Sequence, residues 1–146
     1  MIEISPLRAE DRDRWEELAR GYKKFYRTDV SPEEYDQTWQ RLLQAEEVFG
    51  CAARLDDGQL VGIAHYLFHA NPWAPRSCYL QDLFVDETVR GHGTGRLLIE
   101  YVAQAARDSG AARLYWQTKQ DNDRARLLYD KVATFRGFIS YDYPLK

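Results

Sequence analysis

Six residues, Arg90-Gly91-His92-Gly93-Thr94-Gly95, separate an apolar run ending at Val85 from a helix-like stretch that opens at Arg96. Glycines packed at such a junction leave successive backbone N–H groups free to converge on an anion, with the positive end of a helix dipole behind them. The chemistry this suggests is a pyrophosphate cradle, and the competing reading is a tight strand–helix connection. Spacing narrows the first. A Walker A loop needs Gly-x-x-x-x-Gly-Lys-Ser/Thr, and no lysine stands here. A Rossmann fingerprint needs its third glycine at position 96, which is arginine, and opens a first βα unit rather than a late one. Upstream, Asp82 is a carboxylate set among Leu80, Leu83 and Phe84. Burial there would raise its pKa, as a general base requires; a structural acid bonded to a neighbouring loop is the other reading. Neither Cys51 nor Cys78 has a positioned histidine, so no covalent nucleophile is expected. The histidines His65, His69 and His92 have no carboxylate or cysteine companions at a metal spacing, so no metal site is expected.

The elements that must hold these residues are legible from periodicity. Ile2-Glu3-Ile4 reads as a short strand, and Trp15, Leu18, Ala19, Tyr22 and Tyr26 recur at helical spacing between about residues 8 and 26. Ser31-Pro32-Glu33-Glu34 is a capping box, and its helix carries Tyr35, Trp39, Leu42 and Leu43. Strands are expected at Val48–Leu55 and Leu60–Phe68, joined by the Asp56-Asp57-Gly58 turn, and at Cys78–Val85 after a loop over Asn71–Pro75. Leu97, Leu98, Tyr101, Val102 and Ala105 mark the helix behind the glycine loop, with Gly110 as its C-terminal stop. A strand at Leu114-Tyr115-Trp116, a helix through Ala125, Leu128, Tyr129 and Val132, and a closing aromatic strand from Phe135 to Tyr143 complete the chain. The order β-α-α-β-β-β-α-β-α-β implies an α/β fold with a mixed sheet covered by helices.

Composition bounds the function. The chain of 146 residues is 45% hydrophobic, enough for one domain (1–146) with a real core. Its net charge of −3 argues against a nucleic-acid binder. No run approaches a membrane span, the N-terminus has no apolar leader, and the two cysteines read as buried thiols of a reducing compartment. A cytoplasmic protein with no membrane partner is expected.

With that element order in place, the chain resembles the GNAT superfamily of N-acetyltransferases. Three segments carry the resemblance: Arg90-x-x-Gly93-x-Gly95, the strand Tyr79-Leu80-Gln81-Asp82-Leu83-Phe84-Val85, and Asn122-Asp123-Arg124-Ala125-Arg126-Leu127-Leu128-Tyr129. They look most like the branch that acetylates polyamines, histone tails or amino acids. The resemblance implies a single-domain, mostly antiparallel twisted sheet flanked by about four helices, and acetyl-CoA as co-substrate. It implies that the backbone of Leu83, Phe84 and Val85 pairs with the pantetheine arm, that Arg90, Gly91, His92, Gly93, Thr94, Gly95 and Arg96 hold the pyrophosphate, and that Asn122 helps hold the cofactor near the thioester. Arg96 could equally be a solvated residue of a helix's first turn, and Asn122 an N-cap.

The acetyl transfer so implied makes two chemical demands. A lysine-like amine has a pKa of roughly 10.4, so a proton must be removed, and the departing thiolate benefits from an acid still protonated at neutral pH. The resemblance puts Tyr129 at the acid position; by periodicity alone it would continue the apolar face of Ala125 and Leu128. For the base it points to Gln81 and Asp82, where relatives carry Glu-Asp. Glutamine cannot accept the proton, and strand alternation puts the two on opposite faces unless a bulge intervenes. Asp82 is the candidate base, with Gln81 and Tyr26 as candidate substrate contacts. Tyr22, Phe25, Asp29, Glu33 and Glu34 also lie on or beside the first two helices, where aromatics and carboxylates suit a cationic amine. The expected partner is a small-molecule amine or a basic peptide. The aromatic C-terminal strand, if uncovered, would invite a homodimer. Two rival readings remain: a non-catalytic acyl-CoA sensor, which Gln81 keeps alive, and a histone or other protein lysine acetyltransferase.

Overall fold

The computed structural model describes residues 1–25, 29–89 and 92–145. Arg90, Gly91 and Tyr26, named above as site candidates, lie outside the described residues. Among the described residues five strands and four helices follow in the order β1 (Glu3–Pro6), α1 (Arg12–Phe25), α2 (Pro32–Gln44), β2 (Val48–Arg54), β3 (Leu60–Asn71), β4 (Ala74–Val85), α3 (Thr94–Asp108), β5 (Leu114–Tyr115) and α4 (Asp123–Val132). The sheet order is β1-β2-β3-β4-β5, antiparallel throughout except for the parallel β4–β5 pair that α3 connects.

Local chemistry sets most boundaries. Ser31 Oγ accepts the Glu34 N–H at 3.2 Å and Pro32 opens α2, as the capping box requires. Helix α1 starts later than its periodicity suggests. The Asp11 carboxylate accepts the Arg8 N–H at 2.7 Å, and Ala9–Asp11 winds as a 3-10 turn instead. Strands β3 and β4 run longer than expected. The Asn71 amide oxygen accepts the Trp73 N–H at 2.8 Å, which tightens the expected loop so that both strands extend close to the turn.

Helices cover both faces. Trp15, Leu18, Tyr35, Trp39 and Leu42 from α1 and α2 pack with Ala52, Leu60 and Ile63 of the sheet. On the opposite face Leu98, Ile99, Val102 and Ala106 of α3 pack with Cys51, Val61, Ala64, Cys78 and Leu80. Buried on both sides, β3 reads as a continuous apolar run rather than an alternating one.

The expected closing strand is the correction. Residues 134–145 form no strand, and Phe135, Phe138, Ile139, Tyr141 and Tyr143 are between 66% and 87% exposed. A strand exists only by pairing, and the adjacent edge, β5, is two residues long. Among the described residues nothing pairs with this arm.

Candidate active site

Strand β4 carries the centre of the site and departs from regularity there. His65 stands opposite Asp82 and Tyr66 opposite Leu80, so Gln81 is an extra residue bulged out of the ladder. The bulge resets alternation. Leu80 and Leu83 both pack on the α3 face, while Phe84 turns to α1, where its ring lies 6.5 Å from that of Tyr22. A side chain at Gly21 would come within 2.9 Å of Phe84, so only glycine lets α1 approach this closely.

Just before the bulge β4 loses its second neighbour. It pairs with β5 only at Cys78↔Leu114 and Tyr79↔Tyr115, and from Leu80 onward the two chains splay apart. Leu83–Val85 pairs with Gly62–Ala64 of β3 on one side and, among the described residues, with no strand on the other. The opening is a shallow, solvent-connected cleft lined by Tyr22, Leu80, Gln81, Leu83, Trp116, Gln117 and Tyr129. Gln81 and Tyr129, 48 positions apart in the sequence, are thus brought to one cavity. The Tyr129 ring also packs on Trp116, centroids 5.4 Å apart, and on the α3-side core. Tyr129 is thus half-buried, its ring against the α3-side core and at the wall of the cleft.

The glycine loop leads into α3. Asp86 anchors its entry, accepting from Arg14 Nη2 at 2.7 Å and from both the N–H and hydroxyl of Thr88 at 2.9 Å. Gly93 has φ +76, a left-handed conformation, and among the described residues a Cβ placed there would meet nothing within 4 Å. The Leu97 N–H bonds back to the Gly93 carbonyl, and among the described residues the amides of Thr94, Gly95 and Arg96, at the positive end of the dipole, meet no acceptor. Thr94 Oγ1 is buried with no hydrogen-bond partner among the described residues. Gly95 has a packing role as well: a Cβ would stand 3.2 Å from Leu128 of α4. Arg96 forms an exposed pair with Glu100 at 3.1 Å, as a first-turn surface residue does. Asn122 does not cap α4 with its side chain; its amide donates to Thr118 Oγ1 at 3.0 Å and braces the β5–α4 loop.

Asp82 is not the free base expected of a buried carboxylate. Burial pushes its pKa up, but the hydrogen bond from His65, the nearby Lys23 charge and the Tyr22 hydroxyl outweigh it, and the carboxyl is held below its usual value. His65 Nδ1 lies 2.9 Å from Asp82 Oδ2, and the Trp15 indole N–H donates to His65 Nε2, also at 2.9 Å. Sequence reasoning missed His65 and Trp15 as neighbours of Asp82. No spacing signals them, because only the bulged register puts position 65 across from 82. Trp116 and Gln117 were hidden likewise, since the splay of β5 cannot be read from its residues. Burial lifts the Cys51 thiol to about 12 and the Cys78 thiol to about 11, which leaves neither as a thiolate at neutral pH.

Residues 15–135 match the model of the acetyltransferase (GNAT) family. The chain is 36% identical over 135 residues to a D-amino-acid N-acetyltransferase of Saccharomyces cerevisiae, covering 90% of this chain and 84% of the relative. It is 37% identical over 74 residues to a thialysine N-epsilon-acetyltransferase of Bos taurus, covering 51% of this chain and 44% of that one. Among solved structures, an aminoglycoside N-acetyltransferase in complex with CoA superposes with a TM-score of 0.86 at 16% identity, covering 99% of this chain and 94% of that one. At that identity the likeness is one of fold.

Proposed function

Since the chain belongs to the GNAT acetyltransferase family and is an N-acetyltransferase, we propose that it moves the acetyl group of acetyl-CoA to a primary amine by direct attack. Tyr129 acts as the acid and Asp82 as the base. The observation that carries this reading is the splay of β4 from β5, which opens a cleft onto Tyr129 and Gln81 beside an unpaired strand edge. The residues present suit the donor. The Leu83–Val85 edge offers unpaired backbone to a pantetheine arm, as an added strand would use it. The open amides of α3 and the unfilled space before Gly93 suit a pyrophosphate. Acetyl-CoA, when bound, supplies the activated acyl group and a thiolate leaving group, and the phenol of Tyr129 delivers the proton that thiolate needs.

The acceptor is a small amine, of the amino-acid or polyamine class, in one cytoplasmic domain spanning residues 1–146. Similarity to a D-amino-acid enzyme and to thialysine enzymes supports this class over a protein substrate. The exposed aromatic arm supports a homodimer in which each arm is covered by a second copy.

The test is thiol release from acetyl-CoA with D-lysine, thialysine, spermidine and a lysine-containing peptide. Turnover of at least one small amine, above the peptide, is the expected result. Tight acetyl-CoA binding with no amine turned over would instead establish the sensor reading, and preference for the peptide the protein-acetyltransferase one.

A further inference from the structure

Behind the cleft runs a chain of buried and half-buried polar groups that acid catalysis by Tyr129 does not need. The Trp15 indole can only donate, so His65 Nε2, 2.9 Å away, must accept. The ring proton is therefore on Nδ1, which donates to Asp82 Oδ2 at 2.9 Å. The other neighbours of Asp82 include Lys23 and the Tyr22 hydroxyl, which donates to it. Tyr22 is the member of this chain that lines the cleft. Gln81, bulged out beside it, cannot take a proton.

We propose that Tyr22 and Asp82 form a proton relay for the attacking amine, with His65 and Trp15 as positioning residues that fix the Asp82 carboxylate behind the Tyr22 wall of the cleft. This rests on the acetyl-transfer reading above and supplies its missing route for the proton. The neutral amine nitrogen bonds to the acetyl carbonyl carbon and becomes strongly acidic. Its proton passes to the Tyr22 oxygen while the Tyr22 hydroxyl proton passes to Asp82. The carbon–sulfur bond then breaks, its electron pair leaves on sulfur, and sulfur takes the proton of Tyr129. Asp82 ends protonated and Tyr129 ionised, and exchange of one proton with solvent resets both. A carboxylate of low basicity is a poor sink for a free ammonium ion but a sufficient one for a nitrogen whose new bond has made it acidic.

The experiment compares Tyr22→Phe, Asp82→Asn and the double variant, using the panel amine with the highest wild-type kcat. Each single change is expected to lower kcat roughly tenfold to hundredfold, within the range of acid–base assistance. KM for acetyl-CoA should stay within about twofold, and the double variant should be no worse than the worse single one, because the two act as a unit. His65→Gln keeps an N–H for Asp82 and should exceed His65→Leu in kcat by about fivefold, the worth of one hydrogen bond. Nitrogen NMR of the wild type should show His65 as its Nδ1–H tautomer. Wild-type kcat in folded Tyr22→Phe, fully multiplicative losses, or an Nε2–H tautomer would overturn the relay alone. A wild-type protein that turns over no panel amine overturns the transfer reading, and the relay with it.

Discussion

Tyr129 faces the cleft while its ring is packed on Trp116 and the α3-side core, so its hydroxyl and its ring can be tested apart. Tyr129→Phe keeps the ring and removes the proton. We expect acetyl-CoA affinity to survive and stability to change by at most about 1 kcal/mol, the worth of one hydrogen bond. Turnover should fall roughly tenfold to a thousandfold, in kcat and kcat/KM alike, because the interaction matures only as the thiolate departs. Wild-type turnover in the variant would assign Tyr129 to the core. A different residue pair sets acid stability. Arg54 donates to both carboxylate oxygens of Asp11, at 2.8 and 2.7 Å, and also to Ser5 and Pro6, with both partners buried. Burial would raise the Asp11 pKa, but the Arg54 bonds and charge and the Arg8 N–H outweigh it and lower it. A lowered folded-state pKa gives stability that is full above the unfolded value near 3.9 and is lost as pH falls through the folded one. Asp11→Ala, which leaves a buried guanidinium uncompensated, should cost about 3–5 kcal/mol at neutral pH in denaturant melts. It should also flatten the decline of stability below about pH 4.

The pyrophosphate cradle proposed for the start of α3 turns on its glycines. Gly93 lies in left-handed backbone with open space before it. Valine at this position combines strain with a side chain in the phosphate's path. Asparagine tolerates that backbone but still fills the space. Both variants should lose acetyl-CoA affinity by calorimetry, with Gly93→Asn the better folded of the two; full affinity in either would remove the pyrophosphate from this loop. Such local features were legible in advance. The capping box of α2, the Gly58 turn, the Gly110 stop and the helix behind the loop all follow from short-range chemistry, and each stands where its residues put it. What could not be read was register. The bulge at Gln81 was conceivable from sequence, but not that it would set His65 against Asp82, nor that the splay of β5 would open the cleft onto Trp116 and Gln117. Those depend on which residue faces which across strands, and that is decided by packing on both faces of the sheet at once.

Taken whole, the molecule covers both faces of its sheet and leaves its C-terminal arm uncovered. Phe135, Phe138, Ile139, Tyr141, Tyr143 and Leu145 are all at least 66% exposed, and Trp73 at the β3–β4 turn is 94% exposed. Arg126 and Arg136 lie over the rings of Phe135 and Phe138, 5.4 and 5.6 Å away, but shield little of them. Scattered apolar side chains need no explanation; a contiguous aromatic segment does. Large aromatics bury roughly 150–250 Å² each, so two such arms covered by a partner would remove about 1,200–2,000 Å² from water, the size of a stable interface. A second copy therefore suffices as the cover. Because these side chains touch little within one chain, replacing them should hardly affect the folded protomer. Phe138→Lys with Tyr141→Lys should leave the far-ultraviolet spectrum and acetyl-CoA binding intact and convert a dimer into a monomer at micromolar concentration. Sedimentation decides the matter: a wild-type monomer, or a double variant that sediments as the wild-type dimer does, would mean that the arm is not where two chains meet.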